Sequence, residues 1–309
     1  MGTAFTDLVG CDVALQQAGI GPVATADLAA AVTEAGGLGS IGAGGVPIEE
    51  LEAMLADVAA RTNGPVCINF LMPFVDPAAV ELAAHRARVV EFFYGDPDPD
   101  LVDVVHRGGA LVSWQVGSVD EARAAVGAGA DLVIAQGVEA GGHVRGTTPL
   151  ARLLPAVRAA GDVPVLAAGG IGTAGDVHAA MDAGADGVRI GTRFIAAEEA
   201  DAHPVYVDAV IRATADDTVL TDRFGLEWPN APHRVLRASL ECAEAAAEET
   251  LGSRPMGSWT FPIGRFSSML PTRDTTGNIA AMAHYAGMSV GAVSGVRSAK
   301  AIVAELAPR

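Results

Sequence analysis

The sequence predicts an α/β protein built as a closed (β/α)₈ barrel, and three observations carry that expectation. Between residues 10 and 195, short apolar runs alternate eight times with Ala-rich amphipathic stretches, at a period of about 20–25 residues. The phrase Gly-Ala-Asp occurs at 129–131 and again at 184–186, each time leading from a helical pattern into a strand-like one. Half of the 309 residues are hydrophobic and only 5% are aromatic, which suits helices packed closely on strands. Repeated strand–helix–strand units pair in parallel through right-handed crossovers. Eight of them select closure, the TIM-barrel arrangement, over an open doubly wound sheet. The open sheet is the competing reading, and it would follow if the weakest run, Leu38–Ile41, were not a strand.

Taken in order, the expected strands are Val13–Gln17, Leu38–Ile41, Val66–Phe70, Val89–Phe93, Ala110–Gln115, Leu132–Gln136, Val165–Ala168 and Gly187–Ile190. Helical patterns lie between them near Asp27–Glu34, Ile48–Arg61, Pro77–His85, Asp98–Arg107, Ser118–Gly127, Leu150–Ala159 and Ala174–Ala183. Asp27, Asp76 before Pro77, and Ser118 with Glu121 three residues on are helix-start signals. After residue 195 the alternation stops. Helices are expected over His203–Ala215, His233–Thr250, Asn278–Gly287 and Arg297–Ala307, the last packing back against the barrel. Val219–Pro232 reads as irregular, and residues 252–277 show no periodicity. The domain expectation is therefore a barrel of residues 1–200 and 295–309. A smaller, mostly α-helical substrate or cap domain, residues 201–294, is inserted near the C-terminus.

Composition excludes several partners. A formal net charge of −17 argues against nucleic acid and anionic membranes, which need clustered Lys and Arg. It leaves room for a small anionic ligand, because salt screens the global field within about 8–10 Å. Cys11, Cys67 and Cys242 are widely spaced without a C-x-x-C, which reads as free thiols in a reducing, cytoplasmic setting. No run approaches the roughly 20 apolar residues that span a bilayer. No secretory signal is expected from the opening residues, and Gly2 with Thr6 matches the myristoylation pattern only at a chance level. The remaining histidines, His85, His106, His178, His203, His233 and His284, share no metal-ligand spacing, so no metal is expected. Oligomeric state is not legible.

The chemistry is expected at residues 131–143. Leu132–Ala135 is a buried run ending in Gln136, followed by a glycine-bearing loop closed by His143. In a barrel of this kind, side chains at the C-terminal ends of strands and in the loops after them line the active site. Gln136 both donates and accepts hydrogen bonds, His143 titrates near neutrality, and Gly141 and Gly142 allow close approach to a flat ligand. The seventh strand runs into Gly169-Gly170, and the eighth into Gly191-Thr192. These are the two loops where such barrels bind phosphate. The spacing at 169–175 fails the dinucleotide fingerprint G-x-G-x-x-G.

The segments Gln17-Ala18-Gly19-Ile20, Ala35-Gly36-Gly37-Leu38-Gly39, Val66–Asn69, Gln136-Gly137-Val138-Glu139-Ala140-Gly141-Gly142-His143, Ala168-Gly169-Gly170-Ile171, Gly191-Thr192-Arg193-Phe194 and Tyr285-Ala286-Gly287-Met288-Ser289 stand out together. In them the sequence resembles the FMN-dependent nitronate monooxygenases, formerly 2-nitropropane dioxygenases. The resemblance implies a TIM barrel with non-covalent FMN and the oxidation of alkyl nitronates with O₂ to carbonyl compounds and nitrite. It further implies that Asn69, Gln136, Gly141 and Gly142 contact FMN, with Gly169, Gly170, Gly191 and Thr192 around its phosphate. Ala18 and Gly19 would lie beneath the ring, and His143 would face the substrate as a base or as a polar anchor for the nitro group. The chain departs from the family's usual pattern at Ala18-Gly19-Ile20-Gly21 and at Val144-Arg145-Gly146. The Glu-Ala-Gly-Gly-His loop is shared with flavin-type enoyl-acyl carrier protein reductases. An NAD(P)H-dependent enoyl-thioester reductase is therefore the alternative enzyme, and a non-catalytic FMN-binding or phosphate-binding barrel the alternative of another class. Gln115 is a weaker candidate for the site. Arg145 and Arg193 are candidate anion anchors, with pairing to carboxylates at the surface the favoured reading, and Glu139, a poor neighbour for an anionic nitronate, is left unassigned.

Overall fold

Runs of β-branched and small apolar residues become strands where both faces of the pleat are covered. The computed structural model, which describes residues 2–256 and 259–307, contains nine strands over the first 190 residues. They are β1 (Leu15–Gln17), β2 (Gly39–Gly42), β3 (Val66–Leu71), β4 (Val89–Phe93), β5 (Leu111–Val116), β6 (Leu132–Gln136), the two-residue β7 (Gly142–His143), β8 (Val165–Ala168) and β9 (Gly187–Ile190). All except β7 pair in parallel in the order β1-β9-β8-β6-β5-β4-β3-β2. The two ends of this order meet. Gln16 bridges Leu38 in parallel, Gln17 N donates to Leu38 O at 3.0 Å, and Leu38 N donates to Leu15 O at 2.9 Å. The fold is the eight-stranded α/β barrel, and the weak run after residue 37 is the strand that closes it. That run, Gly-Ser-Ile-Gly, lacks bulk for a physical reason. A Cβ on Gly39 would run into the backbone of Ala29, on the helix that covers this strand.

The helices follow the alternation: α1 (Ala4–Val9), α2 (Ala26–Glu34), α3 (Ile48–Arg61), α4 (Pro77–Ala84), α5 (Pro99–Gly108), α6 (Val119–Gly127), α7 (Leu150–Arg158) and α8 (Ala174–Asp182). Asp76 accepts from Ala78 N at the start of α4, and Ser118 from Glu121 N at the start of α6. At α2 the cap is Thr25, not Asp27, which instead sits in the first turn where its charge suits the helix dipole. Helix α1 was not expected, because six residues are too few to show a helical period. It plugs the N-terminal end of the barrel, where fully buried Phe5 joins Val9, Ala14, Leu38, Cys67, Val89, Leu132 and Leu166 in one apolar cluster.

Beyond β9 come α9 (Thr192–Ile195), α10 (Pro204–Arg212), β10 (Thr218–Thr221), β11 (His233–Leu236), α11 (Arg237–Ala245), β12 (Thr250–Met256) and β13 (Trp259–Gly264). Two expectations fail here, so residues 201–294 are less helical than the sequence suggests. The stretch from His233 begins as a strand, because β11 is held between β10 and β7 (His233 opposite His143, Arg234 opposite Gly142). That tertiary pairing outweighs local helical propensity. Residues 278–287 form no α-helix and hold only a single 3₁₀ turn, Ile279–Ala281. The aperiodic stretch after 252 is a hairpin of β12 and β13 whose alternation is broken by Pro255 and Pro262. The final helix, α12 (Ala299–Leu306), returns to pack on α2, α8 and α9. No described helix is long and apolar enough to cross a membrane.

Candidate functional site at the barrel mouth

Side chains that point inward from alternate strand positions stack in layers across such a barrel. At the N-terminal end the layer is apolar. Above it the interior turns polar, with Gln16, Ser40, Glu91 and Ser113 all buried and Arg189 almost so. Above that, the strand ends and their loops surround a cavity of about 850 Å³. Every residue given a cofactor or substrate role from the sequence lines it: Ala18, Gly19, Asn69, Gln136, Gly141, Gly142, His143, Gly169, Gly170, Gly191 and Thr192. Gln115 lines it as well.

Gln136 Nε2 donates to the backbone oxygen of His143 at 3.0 Å, so the strand end ties down its own loop. Its Oε1 is buried with no partner, and so is Oε1 of Gln115. Both residues line the cavity, and a buried amide oxygen without a partner is an unsatisfied acceptor. Asn69 is held from below, donating through Nδ2 to Glu91 Oε1 at 2.6 Å. Gly19 has no room for a side chain, since a Cβ there would lie 2.9 Å from that of Asn69.

At the other end of the cavity, Gly169 (φ 99°) and Gly170 (φ 73°) both take the left-handed conformation as the chain leaves β8. The amides of Gly172 and Thr173 are turned to the Asp176 carboxylate at 3.0 and 2.8 Å, which narrows the cradle to residues 169–171. Thr192 Oγ1 accepts from Gly287 N at 3.0 Å and keeps its own proton to donate. The loop of residues 137–143 is clamped on two sides. Arg234 Nη2 donates to Val138 O at 2.9 Å, and Met288 N to Glu139 O at 2.9 Å. Glu139 accepts from Leu150 N through both oxygens, at 3.2 and 3.0 Å, which ties the loop to the start of α7.

His143 stands in an aromatic box. Its ring stacks on Trp228 at 4.0 Å and 24°, with Tyr94, His233 and Tyr285 at 5.9, 5.2 and 5.6 Å. Burial, and secondarily the neighbouring His233, push its pKa down to about 3. The ring is therefore neutral at pH 7, and its buried Nε2 has no partner. Tyr94 reaches this box because the chain leaving β4 adopts φ 66°, a conformation a tyrosine takes only when its surroundings impose it.

Both arginines pair with carboxylates. Arg145 meets Asp96 at 2.6 Å and Glu121 at 3.1 Å. Arg193 is buried, however, and joins Glu305 of α12 to the carbonyl of Gly172, bracing the cradle from outside. Sequence reasoning missed Trp228, Tyr285, Glu91 and Arg189. The last two carried a signal, since a charge inside an otherwise apolar strand (Val-Val-Glu-Phe-Phe, Gly-Val-Arg-Ile) is rarely buried without a partner. Among the described residues no group of three His, Cys, Asp or Glu is placed to hold a metal ion.

Comparison with known proteins is consistent with this geometry. The chain is 35% identical over 242 residues to a (3aS,4S,5R,7aS)-5-hydroxy-7a-methyl-1-oxo-octahydro-1H-indene-4-carboxyl-CoA dehydrogenase of Mycobacterium tuberculosis, covering 77% of this chain and 67% of that protein. It is 32% identical over 268 residues to a nitronate monooxygenase of Pseudomonas aeruginosa, covering 70% of this chain and 76% of the relative. The solved structure of FabK from Thermotoga maritima superposes with a TM-score of 0.79 at 29% identity, covering 99% of this chain and 95% of that one. The family model described as Nitronate monooxygenase matches residues 3–81 and 75–309. With the barrel, the glycine cradle and the Gly-Gly-His loop in place, the chain belongs to the nitronate monooxygenase family of oxidoreductases.

Proposed function

We propose that this protein is an FMN-dependent oxidoreductase that oxidises small alkyl nitronates with O₂ to carbonyl compounds and nitrite. One observation carries the reading: a histidine that is neutral at pH 7 lines the same cavity as a two-loop glycine cradle and the strand-end glutamines Gln115 and Gln136.

The residues present fit FMN. Gly169, Gly170, Gly191 and Thr192 hold its phosphate with backbone amides and one hydroxyl. Ala18 and Gly19, which have little or no side chain, leave a flat bed for the ring. Asn69, Gln136, Gly141 and Gly142 meet its polar edge, with Gln115 beside them. FMN, when bound, supplies the electron acceptance and the reaction with O₂. His143 acts as a polar anchor for the nitro group, not as a base, because a group with a pKa of about 3 scarcely takes up a proton at pH 7. That suits a nitronate, which has already lost its proton. Trp228 fixes the imidazole plane and keeps water from it. We assign residues 1–200 and 295–309 to the cofactor barrel, and residues 201–294 to the substrate and cap region that contributes Trp228 and Tyr285.

The alternative, an NAD(P)H-dependent enoyl-thioester reductase, is favoured by one feature. The cavity of about 850 Å³ is lined also by Met54, Asp57 and Arg254, and it is larger than a small nitronate needs. Anaerobic mixing of the FMN-loaded protein separates the two readings. Bleaching of the flavin by a small nitronate supports the proposal. Rapid bleaching by NADH or NADPH with none by a nitronate overturns it.

A further inference from the structure

The floor of the cavity is charged, and none of the assignments above uses it. Glu91 on β4 and Arg189 on β9 reach across the barrel and pair, with side chains 0% and 10% exposed. Glu91 also accepts from Gln16 Nε2 at 2.7 Å and Asn69 Nδ2 at 2.6 Å, and Cys67 Sγ lies 3.9 Å from it. The carboxylate is thus fully engaged. The guanidinium is not: Nη2 of Arg189 is held by Glu91, but among the described residues Nε is buried without a partner, no hydrogen bond holds Nη1, and the residue lines the cavity. A charged donor left unpaired away from water is costly, so the cavity favours an acceptor for Nη1. Arg189 stands two residues before Gly191, on the strand that delivers one half of the cradle. Arg189 and the cradle residues Gly170 and Gly191 line one cavity, so a flavin held there by its phosphate would have the guanidinium within the same space.

We infer that Arg189 is the cationic donor to the flavin ring, and that Glu91 orients it and offsets part of its charge, so that this pair sets the redox potential of the bound cofactor. The inference rests on the FMN reading. Its physical basis is that reduction adds negative charge to the ring, and a fixed cation in a water-poor site stabilises that charge strongly. The pair also predicts opposite signs for its two members, which a merely structural role does not.

The test uses FMN-loaded full-length protein and two readouts independent of turnover: sulfite affinity of the oxidised flavin, and its two-electron midpoint potential. Glu91→Gln leaves the arginine uncompensated, and sulfite should bind about tenfold more tightly, with the potential about 30 mV higher. The double variant Glu91→Gln/Arg189→Gln, which removes both charges and retains hydrogen-bonding groups, should bind sulfite about tenfold more weakly than the wild type. Either variant decides if the other fails to fold. Wild-type FMN retention with sulfite affinity and potential unchanged overturns the assignment of Arg189. A wild-type protein that takes up no FMN overturns the cofactor reading itself, and this inference with it.

Discussion

At the residue scale the site is governed by where protons are absent. His143 was legible because a histidine closing a Gly-Gly loop after a barrel strand belongs at the mouth. Its charge state was not, since that depends on Trp228 and His233, some ninety residues away in sequence and adjacent only in the fold. With a pKa near 3, His143 should contribute no step to the pH profile of kcat between pH 5 and 8, and a steady-state series across that range checks it. A titration near pH 6.5 that disappears in His143→Asn would show an ordinary, solvated imidazole instead. The same variant should retain FMN while turnover falls about 100-fold, the usual loss for one positioned donor. Loss of the flavin would move His143 into the cofactor site. Glu91 and Arg189 were readable in principle as charges inside buried strands, but their partners come from opposite sides of the barrel, a relation that no local pattern encodes.

At the scale of elements, the barrel strands were legible because burial on both faces leaves unbroken apolar runs, and the elements after residue 200 were not. The residues of β11 have no strand signature of their own, and they are extended because β7 and β10 lie on either side. Helix α1 escaped for lack of length. The glycine cradle was legible as two turns after consecutive strands, though its true extent depended on Asp176 taking the amides of Gly172 and Thr173. Gly170 is the sharpest probe of this element. Its φ of 73° and a would-be Cβ 3.1 Å from Glu139 Cβ leave little room. Gly170→Val should weaken FMN affinity at least tenfold, as read by fluorescence quenching, while far-ultraviolet circular dichroism stays unchanged. Undiminished affinity in a folded variant would place the phosphate elsewhere.

At the scale of the whole molecule, the polar mouth is built on an apolar base, and the buried histidines make stability depend on pH. Burial lowers the pKa of His143 to about 3 and that of His284 to about 4, so the unfolded chain binds protons that the native one refuses. Their contribution is complete above pH 6.5 and is lost as pH falls through that value toward 3–4, at up to about 1.4 kcal/mol per pH unit for each group. Urea unfolding at pH 7 and pH 5 should therefore show His143→Asn gaining on the wild type by about 1–2 kcal/mol at the lower pH. An equal difference at both values would contradict the buried, neutral histidine. We have proposed that the mouth of this barrel holds FMN, and calorimetric titration of flavin-free protein with FMN decides it. The claim predicts saturation at one FMN per chain for the wild type and binding at least tenfold weaker for Gly170→Val. Absence of saturable binding by folded wild-type protein would contradict it.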